Sequence, residues 1–453
     1  MMDVVGRLWR WAGGEPEALA HLDLVDEGQV LPSTFAVTRA AAAAVGATTL
    51  AAAQLWRDRG GAPDNPRVRV GGRESAVAFR SERYLRVALE PGIDGRTGDY
   101  PTRDGWIRLH CNYPAHREAA QRVLGPTWQT DGWSAEELEQ AVVDAGGAAA
   151  ALRSGRAWAD HPQGSVVARL PLIGRVRLGV EGAPLAPAAR PLAGVRVLDL
   201  SRVIAGPVAG RTLAAHGAEV LRVGSDHLAL LPELVVDTGF GKRFTHLDLR
   251  RSEGRDALLR LVAQADVVVQ AYRPGALARL GLAPEQLAAV RPGLTVVDIS
   301  AWGQAGPWRE RRGFDSLVQM ACGIADEGRI AAGDPTGPPR PLPAQVLDHA
   351  TGYLAALGAI QALRHRHATG GGSHVVVSLA ATAAWLQGLP RVPDGLAVPD
   401  PGPSDVEDLL LRDETPYGLV THVRPPGHID GAPLGWAIPP SRPGADPPSW
   451  STP

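Results

Sequence analysis

The stretch from Val195 to Val223 constrains the fold more than any other part of the chain. It reads as an apolar strand (Val-Arg-Val-Leu-Asp-Leu), a Gly/Pro turn at Ala205-Gly206-Pro207, an alanine-rich helical segment and a second strand starting at Glu219. Strand, glycine turn, helix and parallel strand make a βαβ unit, whose ligand binds beyond the carboxyl ends of the strands. The spacing predicts a nucleotide-like group near Ser201 to Gly210. Strand and helix signals keep alternating to residue 385. Arg251 to Ala265 has helical periodicity and leads into Val267-Val-Val, a run typical of a buried parallel strand. Pro284 to Val290 reads as a short helix closed by Arg291-Pro292-Gly293, and Leu294-Thr-Val-Val-Asp-Ile-Ser as the next strand. This order predicts an α/β fold whose parallel sheet is covered on both faces.

Composition narrows the class of protein. With 45% hydrophobic residues, 21% charged residues and a formal charge of −2 over 453 residues, the chain reads as globular, with nothing pointing to a nucleic-acid partner. The two cysteines, Cys111 and Cys322, lack metal or redox spacing and read as small buried hydrophobes of a reducing, cytoplasmic protein. The opening residues carry no secretory pattern. Phe35 to Trp56 approaches membrane length, but its alanines and threonines and Arg39 suit a packed helix better than a span.

Internal echoes give a second clue. Val37 to Val70, an Ala-rich helix, a Gly-Gly turn and a Val-Arg-Val strand, parallels Ala350 to Val377, a helix, Gly370-Gly-Gly and Val375-Val-Val. Glu181-Gly-Ala-Pro-Leu recurs as Asp430-Gly-Ala-Pro-Leu. The order is the same twice, which predicts a partial tandem duplication whose first copy lacks the nucleotide-type half.

Pro191-Leu-Ala-Gly-Val-Arg-Val-Leu-Asp-Leu-Ser-Arg-Val-Ile-Ala-Gly-Pro207 closely resembles the opening of family III CoA-transferases, a group that includes formyl-CoA and carnitine CoA-transferases and α-methylacyl-CoA racemases. The resemblance implies a parallel-sheet, Rossmann-like CoA-binding domain joined to a smaller α+β domain. Residues 75 to 150, with Tyr100-Pro-Thr-Arg-Asp-Gly-Trp-Ile-Arg-Leu, look like the family's small domain yet precede the βα domain. The expected organisation is therefore 1–190 as a partial repeat supplying helix and small domain, 191–385 as the CoA-binding and catalytic domain, and 386–453 as a Pro-rich return segment. This altered order leaves a homodimer as an open question.

The matching positions are candidates for the site. Ile204 and Ala205 fall in the first turn, and Lys242-Arg243 resembles the family's segment near the CoA nucleotide, since cationic side chains suit phosphate. Ala271-Tyr272-Arg273-Pro274-Gly275 and Arg279 match a second motif, with an aromatic for adenine and a guanidinium for phosphate. Ile299-Ser-Ala-Trp302-Gly-Gln-Ala-Gly-Pro is a third. Its glycines, 303 and 306, would let the backbone approach a ligand, and Trp302 offers a flat wall. Asp315, in Gly-Phe-Asp, reads as structural.

Asp348 in Leu-Asp-His-Ala-Thr-Gly-Tyr falls where the family carries its nucleophilic aspartate. At the start of a helix, backbone N–H groups and the positive helix end would hold its carboxylate ionised, and an N-cap is the plain alternative. The first repeat has no acid at the corresponding Ala36 to Thr38, so one site per chain is expected. The resemblance implies attack of Asp348 on an acyl-CoA, an aspartyl-CoA thioester, and passage of CoA to an acceptor carboxylic acid; Gly352 and Gly370-Gly-Gly read as contributors to flexibility, a weak signal. CoA enters as substrate, with no resident cofactor or metal and no membrane partner. A racemase of the same family is the nearest rival, although Phe314 stands where that branch has a histidine and only His349 could substitute. A CoA-binding protein without turnover stays open. A dehydrogenase is disfavoured because Gly-x-Gly-x-x-Gly is missing after Leu200.

Overall fold

A computed structural model describes residues 1–62, 64–89 and 95–451. β1 (Leu22–Val25), the helix Val37–Asp58 and β2 (Val68–Gly71) open the chain, with β1 and β2 parallel. From Val37 to Trp56 every helix residue except the exposed Arg39 is buried. Alanine suits this use, being the strongest helix former and presenting only Cβ to a neighbour. The neighbour is the helix Val346–Thr369, whose Tyr353 carbonyl is 3.0 Å from the Thr48 hydroxyl. No helix among the described residues is long and apolar enough to cross a membrane.

A small antiparallel sheet follows, β3 (Gly98–Pro101), β4 (Trp106–Leu109) and β5 (Ala149–Ala151), packed on the helices Pro114–Leu124 and Ala135–Asp144. Ile107, Leu109, Cys111, Leu138 and Val142 form its core, and the second helix is capped reciprocally by Ser134 and Glu137.

The large sheet is built from β6 (Gly174–Glu181), β7 (Arg196–Leu200), β8 (Glu219–Gly224), β9 (Lys242–His246), β10 (Val267–Gln270), β11 (Thr295–Ser300) and β12 (Gly371–Ser378). Its spatial order is β6-β12-β11-β10-β7-β8-β9, and all pairs are parallel except β6 with β12. Strands covered on both faces must be apolar throughout, and every residue of β10 and β11 is buried. The predicted helix at 251–265 is Ser252–Val262, and Pro284–Val290 forms as read. The return segment adds a hairpin, β13 (Leu410–Thr415) with β14 (Gly418–Val423), and then β15 (His428–Ile429).

The two echoes meet in a crossed arrangement. β12 follows the Val346–Thr369 helix and pairs antiparallel with β6, whose continuation is Gly-Ala-Pro-Leu185. β2 follows the Val37–Asp58 helix and pairs antiparallel with β15, whose continuation is Asp-Gly-Ala-Pro-Leu434. Each return strand therefore completes the sheet that holds the other echoing helix–strand segment. The residues before the two helices, Ala36 and Gln345, share an unusual backbone (φ −75°, ψ 58° and φ −75°, ψ 62°).

Candidate active site

The strand order reverses between β7 and β10, and a crevice must open where the chain leaves their carboxyl ends in opposite directions. A cleft of about 640 Å³ opens there. Leu200, Arg202, Val203, Ala205 and Gly206 line it from the turn after β7, Ala271, Tyr272 and Arg273 from the turn after β10, and Arg312 and Phe314 from the loop after β11. Val203 holds φ at +72°, a strained setting for a β-branched residue, on the cleft wall itself. Tyr113 and His116 close the cleft from the small antiparallel sheet's region, so residues of the N-terminal part face the β7–β12 sheet across one site.

Asp348 lines this cleft at the third position of the Val346–Thr369 helix and is 7% exposed. It is not the cap. Asp315 fills that role: its Oδ2 accepts the backbone N–H of Leu347 at 2.8 Å and of Asp348 at 3.0 Å, while its Oδ1 takes the Gln319 amide. The free N–H groups expected to hold Asp348 ionised are thus spent on another carboxylate. Burial, with Asp315 and Glu82 close by, pushes the Asp348 carboxyl well above the usual range, a correction to the expectation of a readily ionised group. Burial also raises Asp315, to about 6.

Of the other predicted residues, Ala205, Ala271 and Tyr272 are on the cleft wall. Ile204 is buried at the start of the Ala205–Ala215 helix. Lys242 is not free for phosphate: it is 1% exposed, 2.7 Å from Asp199 Oδ2, and donates to the Pro207 carbonyl at 2.6 Å. Burial lowers its pKa to about 8 despite Asp199. Arg243 pairs with Glu219 of the neighbouring strand β8 at 2.8 Å. Arg279 is exposed beside Gly275, off the cleft wall. Trp302 is 1% exposed and donates to the Arg312 carbonyl at 3.3 Å, behind the wall. A Cβ at Gly303 would strike Leu170 and one at Gly306 would strike Gln163, so these glycines admit N-terminal side chains, not a ligand.

The Gly370 run caps the far end of the Val346–Thr369 helix, roughly 33 Å from Asp348 along the axis, and contributes nothing near the carboxylate. Gly352 is a packing position, since a Cβ there would lie 2.6 Å from the Ala205 carbonyl oxygen. His349 is fully buried, 3.0 Å from Glu82 Oε2 and stacked on Phe79, away from the cleft.

Sequence reasoning missed the wall supplied from afar. His110 stacks on Phe314 with centroids 3.6 Å apart and planes 2° from parallel, and Tyr113 and His116 gather round the same ring. Burial lowers His110 to about 3 and His116 to about 4, so both imidazoles are neutral near pH 7. The signal available was local: His110-Cys-Asn-Tyr-Pro-Ala-His116 clusters aromatics beside the recognised small-domain segment. Arg202 and Arg273 lay inside quoted motifs, next to the residues selected.

Comparison with known proteins gives the context of this geometry. Residues 192–410 match the family described as CoA-transferase family III. An acyl-CoA transferase of Gibberella moniliformis is 32% identical over 326 residues, covering 65% of this chain and 57% of that protein. The succinyl-CoA–L-malate CoA-transferase beta subunit of Chloroflexus aurantiacus is 36% identical over 202 residues, covering 42% and 49%. A CAIB/BAIF family protein from Brucella suis, known from its crystal structure, is 32% identical over 43% of this chain and 54% of its own, with a TM-score of 0.38, too low to bear on the fold. The chain spans about half the length of the relatives it matches. Residues 192–410 are thus similar to CoA-transferase family III.

Proposed function

We propose that the protein transfers CoA from an acyl-CoA to a carboxylic acid, with Asp348 as nucleophile. The observation that carries this reading is the position of Asp348: the aspartate of the matched motif stands on the wall of the switch-point cleft, which arginines 202, 273 and 312 also line. The order β9-β8-β7-β10-β11-β12, with β6 as an added antiparallel edge strand, supports reading this as a doubly wound, Rossmann-like domain, and the adenine and phosphates of CoA would occupy the cleft near Tyr272 and Arg273.

In the first step the ionised Asp348 oxygen bonds to the thioester carbonyl carbon, the C–S bond breaks, and a mixed anhydride and CoA thiolate result. The thiolate then attacks the aspartyl carbonyl, forming the aspartyl-CoA thioester and releasing the donor's carboxylate. An acceptor carboxylate attacks that thioester and the sequence runs in reverse. Covalent relay divides one slow exchange into easier steps. The raised proton affinity of Asp348 requires that it lose its proton before attack, so the rate rises with pH through that ionisation. No metal or resident cofactor enters these steps. Residues 1–190 act as the small domain of the 191–385 catalytic region, and the chain works in the cytoplasm. The racemase alternative lacks support in the geometry: Phe314 carries no proton, and His349 faces Glu82.

Mass spectrometry of the protein after incubation with an acyl-CoA panel tests this reading. A CoA adduct on the Asp348 peptide, absent from Asp348→Ala, is expected. Demonstrable CoA binding with no adduct from any donor would turn the assignment toward a non-catalytic CoA-binding protein.

A further inference from the structure

The cleft wall after β11 is a loop whose grips come from the N-terminal region. Gln163, fully buried, donates to the carbonyls of Trp302 at 2.9 Å and Ala305 at 3.0 Å and accepts the Trp308 N–H at 2.8 Å. Arg311 donates to Glu139 Oε1 at 3.0 Å and to the Ala149 carbonyl at 3.1 Å, and its guanidinium lies 4.1 Å from the centre of the Trp308 ring. Glu139 also holds Arg153, at 2.5 Å, and the Arg153 backbone N–H reaches the Met320 carbonyl at 3.0 Å. The three side chains are 4–6% exposed.

Arg311 and Arg312 both line the cleft, but the Arg311 guanidinium is held by Glu139 and the Ala149 carbonyl, whereas Arg312 makes no ion pair among the described residues and is free to meet a ligand. We propose that Glu139 is a positioning residue for the CoA site, fixing the 302–314 loop through Arg311 so that Arg312 is presented to the ligand. This rests on the reading of the cleft as a CoA site. A buried carboxylate flanked by two guanidiniums suits the task, because moving either partner would strand an unpaired charge. That cost makes the loop's position discrete.

Titration calorimetry with free CoA on the full chain tests the proposal, using Arg311→Met, Glu139→Gln and the double variant. Arg311→Met leaves the Glu139–Arg153 pair in place. Each single variant is expected to raise the Kd for CoA about tenfold or more, and the double variant no further than the larger single effect, the signature of two residues acting as one unit. If Arg311 were itself the ligand's partner, Glu139→Gln would free its guanidinium and leave binding unchanged or tighter, which overturns the proposal. So do single effects below twofold, or effects that add. Should Glu139→Gln fail to fold, Glu139→Asp takes its place and is judged by the same threshold and against the same alternative. A wild-type chain that binds no CoA overturns the functional reading first and this inference with it, an outcome distinct from wild-type binding with unaffected variants.

Discussion

Asp348 and Asp315, on different helices, are two acids brought together at one helix end, and both hold their protons more tightly in the folded chain than free aspartate does. The sign for stability follows. A carboxyl raised on folding contributes its full stabilisation below the unfolded value, near pH 4, and loses it as pH rises, for Asp315 through about 6. Asp348→Asn removes one of the two charges, so it is expected to stabilise the protein at pH 8 by about 1–3 kcal/mol, with the gain shrinking toward pH 4. Thermal unfolding across that range checks it, and a gain independent of pH would refute the cause given. Lys242 poses the opposite case. Gly210 leaves room for its pair with Asp199, since a Cβ there would lie 2.8 Å from Asp199 Oδ2. Lys242→Met would strand that carboxylate, and urea unfolding should register a loss of about 3–5 kcal/mol.

At the scale of elements, the Ala205–Ala215 and Val346–Thr369 helices meet at Gly352, where the backbone of one nearly touches the other. Gly352→Ala is expected to cost about 1–3 kcal/mol by overpacking. Because Ala205 lines the cleft, the same substitution should weaken CoA binding, which calorimetry alongside thermal unfolding would separate from a pure loss of stability. The elements themselves were legible: apolar runs marked β10 and β11, and Pro284 with the Pro-Gly at 292–293 bracketed a short helix. Side-chain destinations were not. Lys242 and Arg243 are adjacent on a strand, where neighbours point to opposite faces, so one entered the core and the other paired with Glu219, and nothing in the dipeptide says which. The glycines at 303 and 306 were recognisable as close-approach positions, but the approaching group, Gln163 or Leu170, comes from a distant part of the chain.

The whole molecule is held by exchange between its two parts. β6 completes the large sheet, β15 completes the sheet of β1 and β2, and the two long helices pack together. Fragments 1–190 and 191–453, produced together, are therefore expected to copurify as a one-to-one complex, and neither alone should show a sharp thermal transition. Two independently folded fragments would show that the exchanged strands are dispensable. The sequence by itself determined the βαβ alternation, the echoing segments and the aspartate of the matched motif, because periodicity and turn chemistry are local and survive in the order of residues. Only the tertiary structure decided that Asp315 caps the helix of Asp348, that Lys242 is sealed in the core, and that Tyr113 and His116 line a cleft whose other walls begin more than 80 residues further along the chain. Those outcomes depend on which surfaces the crossed strands bring together, and burial and charge pairing act only once they have met.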